Sequence, residues 1–495
     1  MDKKNNNLIE RPPVIVIMGH IDHGKSTLLD FIRKTNIVEG EAGSITQHIS
    51  AYEVIHEKKK ITFIDTPGHA AFCNVRSTGA CIADIAVLII SAEDGVKPQT
   101  VEAYKSIQEA KLPFVIAINK IDKPNANVEK VKQELMEKEI FLEGSGGNIS
   151  YAEISAKTGA GVPELIDTLL LMAEMEELKA DKNKLASGFV LESKVDTQKG
   201  TEVIVVIKDG TIKKGNFVLI NNKVSPVRRL ENFLGDLIEE ATFSSPVRLT
   251  GLRGIPEAGA EFKTYLTKKE AEENIVEVKT EEINTRRIPS NNKKDTDILI
   301  MIKTDVFGTI DAIKQEINKI EQERANIRVV VAEVGDINEN DIKMAGTKGD
   351  TLIVGFNVKA SQHVKDLAER QEVKIVIVDV IYKLTEWLEK NIKDLVPKIK
   401  IEETTGLAKV IRVFSETKSN HIIGGKVKEG KLTLSSEVKI LRRDNEIGKG
   451  VIMNVQSQKI QTKEVNEGDE FGMDIKSKIE IVPGDVLEAF KIVEK

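Results

Sequence analysis

Cysteine, aromatic residues and long apolar runs are all scarce in this chain. Its 495 residues include two cysteines, one tryptophan and five tyrosines. The spacing of Cys73 and Cys81 matches no zinc-site pattern, so we expect reduced thiols in or near a core rather than a metal or disulfide framework. No apolar run approaches the ~20 residues of a membrane span, and residues 1–7 lack the apolar stretch of a secretory signal. These absences predict a cytoplasmic protein with no membrane partner.

Net charge and chain length limit the possible partners and the number of domains. The formal net charge is -6, so the chain as a whole does not attract nucleic acid, and any RNA partner must be met by a local surface. A chain of 495 residues is too long for one hydrophobic core, because single cores stop growing near ~250 to 300 residues. We therefore expect several domains.

The order of strand and helix patterns predicts a multidomain α/β protein. Apolar strand-like runs alternate with helical stretches near the N-terminus and again in the second half, which is typical of parallel α/β sheets. Short runs broken by turns, typical of β-barrels, follow each of these parts. The predicted segments are a short disordered tail (1–11), an α/β domain (12–182), a β-barrel (183–276), a linker (277–296), a second α/β domain (297–380), a connecting helix (381–400) and a C-terminal β-barrel (401–495).

The two all-β parts share a pattern that suggests duplication. Asp209-Gly210 lies between two β-type runs, and Glu429-Gly430 occupies the same place in the last part. A second match, PEAGAEF against IVPGDVL, comes in the same order along the chain. Chance similarity between two hairpins is the alternative, because turn chemistry recurs.

The segment GHIDHGKS fits the phosphate-binding pattern GxxxxGK[ST]. It follows the strand-like run VIVIM and precedes a helical run, which is the context that a P-loop requires. Backbone N–H groups would hold the phosphates, the lysine would face the β and γ phosphates, and the serine would reach Mg²⁺. A Gly-rich turn with an incidental lysine is the alternative. The predicted loop residues are Gly19, His20, Ile21, Asp22, His23, Gly24, Lys25, Ser26 and Thr27.

Three further motifs follow in the order of a guanine-nucleotide site. Asp65 ends a strand-like run and would hold Mg²⁺ through water, and the Gly68 N–H would meet the γ-phosphate. The Asp122 carboxylate can accept both the ring N–H and the exocyclic amino group of guanine, a pair that adenine does not offer. The other predicted base contacts are Asn119, Lys120, Ser155, Ala156 and Lys157. Together these motifs predict that residues 12–182 form a P-loop GTPase domain that binds GTP or GDP with Mg²⁺.

Hydrolysis needs a Mg²⁺ ligand that responds to the presence of the γ-phosphate. It also needs a group that orients the attacking water. Thr46 lies between the P-loop and the DTPG motif and is the candidate for a second Mg²⁺ ligand; a plain loop threonine is the alternative. His69 directly follows DTPG, where an imidazole can orient water or stabilise developing charge, so it is the predicted catalytic residue. A histidine packed beneath the loop is the alternative.

The strings GHIDHGKS, DTPGHAAF and EAGSITQHISAYEV resemble those of bacterial translation initiation factor two, a family of translational GTPases. The resemblance covers nearly all of residues 12–495. It implies a factor that with GTP recruits formylated initiator tRNA to the small ribosomal subunit, promotes joining of the large subunit and hydrolyses GTP on the ribosome. It also implies a monomer off the ribosome, and a hydrophobic gate of Ile21 and Ile45 beside His69. Another translational GTPase, such as a selenocysteine or elongation factor, and a nucleotide-timed scaffold protein are the competing interpretations.

By the same resemblance the last barrel would bind initiator tRNA. The basic residues nearest the matching segments are Arg412, Lys426, Arg442 and Arg443, which could equally be solvated charges that protect strand edges. The chain departs from the family pattern at Gly425, where Cys or Ser is usual, and in the stretch 456–461. Gly425 could admit the formylmethionyl group more closely or could ease a strand bend.

Overall fold

A mixed six-stranded sheet carries the first α/β part. The computed structural model describes residues 8–33, 48–196, 199–275, 296–320, 325–347, 351–395, 400–416, 420–443, 445–457 and 460–494. The strands up to residue 181 are β1 (Leu8–Glu10), β2 (Val14–Gly19), β3 (Ser50–His56), β4 (Lys59–Asp65), β5 (Ile85–Ser91), β6 (Phe114–Asn119), β7 (Tyr151–Glu153) and β8 (Lys179–Asp181). The sheet has the order β3-β4-β2-β5-β6-β7, in which only the β3 and β4 pair is antiparallel.

Helices cover both faces of this sheet, so its central strands are apolar throughout. Every residue of β2 and β5 is buried, which is the pattern expected of parallel strands between two helix layers. The helices are α1 (Lys25–Arg33), α2 (Cys73–Ile82), α3 (Pro98–Glu109), α4 (Val128–Glu137) and α5 (Val162–Met175), with a 3-10 turn at Ala70–Phe72. The loops that carry the sequence motifs follow the carboxyl ends of the parallel strands, where open α/β sheets bind ligands.

Two expectations for this part need correction. Residues 8–10 are not a disordered tail, because β1 pairs antiparallel with β8 and Arg11 forms a two-pronged ion pair with Asp84 at 2.6 and 2.7 Å. These backbone and charge contacts offset the entropy of ordering the segment. Cys81 is exposed rather than in or near a core, while Cys73 is partly buried.

An antiparallel barrel-like sheet comes next. Its elements are β9 (Ser187–Asp196), β10 (Gly200–Asp209), β11 (Thr211–Lys213), β12 (Phe217–Ile220), β13 (Lys223–Pro226), β14 (Arg229–Asn232), β15 (Glu240–Thr242), β16 (Pro246–Thr250), β17 (Glu261–Tyr265) and α6 (Lys268–Glu273). The main sheet has the order β13-β12-β17-β9-β10-β16-β14. Gly210 makes the predicted turn at φ +82°, where a Cβ would lie 2.4 Å from the Leu185 carbonyl oxygen. Only glycine avoids that clash.

The second α/β part is a four-stranded parallel sheet of order β19-β18-β20-β21. Its elements are β18 (Thr296–Thr304), α7 (Phe307–Lys319), β19 (Ala325–Val334), α8 (Glu339–Thr347), β20 (Thr351–Phe356), α9 (Gln362–Arg370) and β21 (Ile375–Val378). The helix α10 (Ile381–Leu395) follows, over the stretch with helical pattern in the sequence. The predicted linker falls almost wholly on residues 276–295, outside the described residues.

Six of the eight strands in the last part close into a barrel. The eight strands are β22 (Lys400–Glu416), β23 (Asn420–Thr433), β24 (Glu437–Arg442), β25 (Asn445–Ser457), β26 (Ile460–Gln461), β27 (Glu464–Asn466), β28 (Glu470–Ser477) and β29 (Val486–Glu494), of which the short β26 and β27 pair outside the ring. The order β22-β29-β24-β25-β28-β23 closes through a direct pairing of β23 with β22. By its internal contacts the chain divides into two compact units, Met1–Leu395 and Val396–Lys495. No helix within the described ranges is long and apolar enough to cross a bilayer.

Strand pairing confirms the predicted likeness of the two barrels. In the first, β9 pairs with β10 and β17, and β17 pairs with β12. In the second, β22 pairs with β23 and β29, and β29 pairs with β24 in the same way. The two sheets differ in closure. In the second, the long strand β25 pairs with both β24 and β28, whereas the first sheet ends at two unconnected edge strands, β13 and β14.

Candidate active site

Residues from all the predicted nucleotide motifs meet around one cavity of about 290 Å³. Thr46 and Ile45 lie outside the described residues, so their predicted roles stay predictions. Gly19, His20, His23, Asp65 and Ser155 are not among the lining residues. The lining residues are Ile21, Asp22, Gly24, Lys25, Ser26, Thr27, Gly68, His69, Asn119, Lys120, Asp122, Lys123, Ala156 and Lys157. Segments far apart in sequence therefore form one site, as the motif order predicted.

The P-loop wraps tightly around the Lys25 ammonium group. Gly24 has a φ of +91°, and a Cβ there would lie 2.2 Å from the Asn119 side-chain nitrogen, so glycine is required. Lys25 is 6% exposed and its Nζ donates to the carbonyl oxygens of Gly19 at 3.1 Å and His20 at 2.7 Å. Burial lowers the pKa of Lys25 to about 8. An anionic group in the cavity would restore the preference for the charged form.

Two loop histidines stay uncharged at neutral pH. His23 is fully buried, and burial lowers its pKa to about 3. Burial also lowers the pKa of His20, whose ring meets that of His23 edge to face at 4.8 Å. Two neutral rings in contact pack within the loop and add no charge to it.

Oxygen atoms suited to a divalent cation face one another at the edge of the cavity. The Ser26 hydroxyl lies 3.4 Å from a carboxylate oxygen of Asp65, at the end of β4. Thr66, the next residue, donates its hydroxyl to the Ile17 carbonyl at 2.8 Å and so fixes the end of the strand. A hydroxyl and a carboxylate are the hard oxygen donors that Mg²⁺ prefers, so these residues fit the ion.

The side chain of His69 is held by its own backbone. It caps the 3-10 turn, with Nδ1 accepting the Ala71 N–H at 3.0 Å, and the residue is 8% exposed. Burial lowers the pKa of His69, which favours the neutral ring. Because Nδ1 is an acceptor, the neutral imidazole carries its proton on Nε2. His69 therefore presents an N–H donor to its surroundings.

Sequence reasoning missed Arg76, which anchors the same segment from α2. Its guanidinium is buried, donates to the carbonyl oxygens of His69 and Pro67, and pairs with Glu102 at 3.0 Å. Two main-chain carbonyls beside the histidine are thus fixed by one side chain. The signal was present, because Arg76 is the only Asp, Glu, Lys or Arg between Pro67 and Ile82.

Asn119 and Asp122 of the predicted base-selection motif make different kinds of contact. Asn119 donates to the His23 carbonyl at 2.8 Å and accepts the Ala156 N–H at 2.9 Å, so it ties the P-loop to the last motif. Asp122 is exposed, and the Ser155 hydroxyl donates to its carboxylate at 2.7 Å. That hydrogen bond lowers the pKa of Asp122, which keeps the carboxylate ionised.

In the second unit, only two of the five predicted tRNA residues line one cavity. The cavity measures about 630 Å³, and Arg412 and Gly425 are in its lining, whereas Lys426, Arg442 and Arg443 are not. Arg442 is engaged elsewhere, because its guanidinium makes two 2.9 Å hydrogen bonds to Asp485 and so clamps the barrel. This pairing argues against a phosphate contact for Arg442.

Close packing explains the glycine at position 425. A Cβ there would lie 2.2 Å from the Lys409 carbonyl oxygen and 2.6 Å from the Phe471 ring. The adjacent strands β22 and β28 both pair with this point of β23. In this chain the glycine therefore permits the close approach of Lys409 and Phe471 to β23, a reason that differs from both sequence interpretations.

Known translation factors match nearly the whole of this chain. Family models for the Elongation factor Tu GTP binding domain, Elongation factor G domain 2 and Translation-initiation factor 2 match residues 10–175, 185–265 and 268–389. Proteins named Translation initiation factor IF-2 from Anoxybacillus flavithermus and Staphylococcus epidermidis are 39% and 38% identical, over 99% of this chain and 69% and 70% of theirs. Among solved structures, GDP-bound aIF5B from Aeropyrum pernix is 27% identical over 97% of this chain and 92% of its own, with a TM-score of 0.47.

Proposed function

The chain belongs to the translation initiation factor IF-2 family, and we propose that with GTP it recruits formylated initiator tRNA to the small ribosomal subunit, promotes joining of the large subunit and hydrolyses GTP on the assembled ribosome. It is a translation initiation GTPase that binds guanine nucleotide. The observation that carries the proposal is the single cavity that joins P-loop, DTPGH and base-selection residues. We further propose that it acts in the cytoplasm and is a monomer off the ribosome.

Each group at the cavity takes one role in binding. Lys25 lies where it would meet the β and γ phosphates, and the loop N–H groups would hold the α and β phosphates. Ser26 would bind Mg²⁺ directly, Asp65 through water, and Thr46 would complete the set. When bound, Mg²⁺ neutralises charge on the phosphates. Asp122 would select guanine, with Lys120 and Ala156 beside the base.

His69 is the proposed catalytic residue. In hydrolysis the oxygen of a water forms a bond to the γ-phosphorus, the bond to the β-phosphate oxygen breaks, GDP leaves with that electron pair, and a proton of the water passes to a phosphoryl oxygen so that inorganic phosphate forms. The Nε2–H of neutral His69 can donate to the water or to a γ-phosphoryl oxygen as negative charge develops. Arg76 positions the histidine by holding its carbonyl oxygen, at a distance from the reacting atoms.

GTP turnover with and without ribosomes separates this proposal from the scaffold alternative. An initiation GTPase should hydrolyse GTP slowly alone and much faster with both ribosomal subunits. A protein whose hydrolysis only times release from another partner should show no ribosome stimulation. His69→Ala should remove the stimulation while GTP affinity stays normal, because the loss falls on the transition state. A flat response of the unaltered protein to ribosomes would contradict the proposal.

The tRNA role rests on the cavity of the closed barrel. Its mouth combines Arg412, which can meet phosphate, with the exposed apolar residues Ile411 and Phe414 and the bare backbone at Gly425. The test is filter binding of formylated and unformylated initiator tRNA to the full chain. Arg412→Ala should weaken binding of the formylated form, and Arg443→Ala, which removes the same charge outside the cavity, should not. Equal binding of both tRNA forms by the unaltered chain would remove formyl recognition from the proposal.

A further inference from the structure

A tyrosine from α10 lies against the ring of His69. The centroids of His69 and Tyr382 are 4.5 Å apart and the ring planes meet at 78°, an edge-to-face contact. Phe72 flanks the same histidine at 6.2 Å. At 4.5 Å two rings are in van der Waals contact, so no water molecule fits between them. The imidazole is therefore enclosed by one ring from its own segment and one from a distant helix.

Independent contacts fix the helices that bring Tyr382 to this place. Gln315 of α7 donates to the Cys73 sulfur at 3.1 Å, and Asn74 donates to Asp311 at 3.3 Å, so α7 is tied to the start of α2. In turn, Thr385 of α10 donates to Glu316 of α7 at 3.2 Å. The segment after His69 therefore contacts α7, and α7 in turn contacts the helix that carries Tyr382.

Charged groups surround the pair at some remove. Glu316 and Lys319 of α7 act electrostatically on His69 and pair with each other at 2.5 Å, and Asp22 and Glu316 act on Tyr382. Tyr382 itself is 43% exposed, so its ring is not needed to fill a core. A half-exposed aromatic residue placed against a buried functional side chain is better explained by control of that side chain than by packing.

We propose that Tyr382 is a positioning residue that holds His69 in a resting orientation and keeps GTP hydrolysis slow until the contact is broken. The inference rests on the proposed catalytic role of His69. An imidazole between two aromatic rings is restricted in orientation, whereas donation to the attacking water or the γ-phosphoryl group requires its Nε2–H to point at those atoms. The ribosome would then accelerate hydrolysis partly by separating α10 from the histidine.

The test compares Tyr382→Ala with Tyr382→Phe in single-turnover GTP hydrolysis by the full chain. Without ribosomes, the alanine variant should be about three- to tenfold faster than the unaltered chain, and the phenylalanine variant, which keeps the ring, should match it. That change equals about 0.6 to 1.4 kcal/mol at 1.36 kcal/mol per factor of ten, the size of one aromatic pair. With ribosomes all three should react at the same rate, and GTP affinity should be equal throughout.

The double variant with His69→Ala shows whether the effect passes through the histidine. Tyr382→Ala should give no acceleration in that background. Proton NMR of the His69 ring adds a second readout, because the ring-current shift from the tyrosine should vanish in the alanine variant and persist in the phenylalanine variant. If Tyr382→Ala destabilises the chain, Thr385→Val loosens the same helix from Glu316 and should act in the same direction.

The outcomes separate the two claims. An unchanged or slower rate in Tyr382→Ala, or an equal acceleration in the His69→Ala background, overturns the role of Tyr382. If instead His69→Ala hydrolyses GTP normally on ribosomes, the catalytic assignment fails first, whatever the tyrosine variants do.

Discussion

Replacing Asp122 by asparagine should change the base preference of the site from guanine to xanthine. The carboxylate stands at the cavity and accepts a 2.7 Å hydrogen bond from Ser155, which leaves it further lone pairs for the base. A carboxylate accepts two donors from guanine, whereas an amide presents an N–H₂ group toward the position where guanine has its own amino group. Xanthine has an oxygen at that position, so the amide can donate to it.

The expected loss of GTP affinity follows from the loss of one charged, two-pronged hydrogen bond. Losing it costs about 2 to 3 kcal/mol, which is about 30- to 150-fold in GTP affinity at 1.36 kcal/mol per factor of ten. Competition titrations with a fluorescent guanine nucleotide, at fixed Mg²⁺, measure GTP and xanthosine triphosphate on the same protein. Xanthosine triphosphate should gain affinity while GTP loses it.

Asp94→Asn is the matched control. Asp94 is a second carboxylate near the site, paired with Lys120 at 3.4 Å, but it is not in the cavity lining. The same chemical change there should leave both affinities within about fivefold, because an exposed pair contributes at most ~1 kcal/mol, at 1.36 kcal/mol per factor of ten. GTP affinity that survives Asp122→Asn would remove this residue from base recognition. Loss of both nucleotides would instead mean that the Ser155 contact supports the loop.

Three further results are expected. His69→Ala should lower the ribosome-stimulated rate by about 10² to 10⁴ with normal nucleotide binding; loss of binding in a filter assay would make the histidine structural. Lys25→Ala should abolish measurable triphosphate binding, because the charge that faces the phosphates is deleted, and normal GTP affinity by titration would contradict the P-loop assignment. Glu192→Gln tests a buried carboxyl group beside Asp305, where burial raises the pKa to about 8 from an ordinary 4.5. The folded state then binds more protons than the unfolded state between those values, so wild-type stability falls as pH rises through this window, by at most ~1.36 kcal/mol per pH unit. Between pH 5 and pH 8 the melting temperature of the variant should therefore rise relative to that of the wild type. A difference in melting temperature that does not change with pH would refute the raised pKa.

The chemistry of the nucleotide site could be predicted from sequence because each of its motifs is short. The P-loop needs its glycines, Lys25 and Ser26 at adjacent positions between a strand and a helix, and that context is visible in eight letters. The same holds for Asp122, since guanine recognition requires one carboxylate at the end of one strand. The pairing pattern of the two barrels was also foreseeable, because turn residues such as Gly210 mark the hairpins.

The tertiary structure alone decided which distant groups contact these motifs. Arg76 could be seen as an isolated charge in an otherwise uncharged helix, but only packing shows that its guanidinium holds the carbonyl of His69. No local pattern relates Tyr382 to that histidine, since their contact depends on how α7 and α10 pack against the segment after β4. Gly425 likewise has its reason in two neighbouring strands that approach within 3 Å of the position of a Cβ. Chemistry carried by adjacent residues is thus determined by the sequence itself, whereas contacts between separate elements follow from the packing of the folded chain.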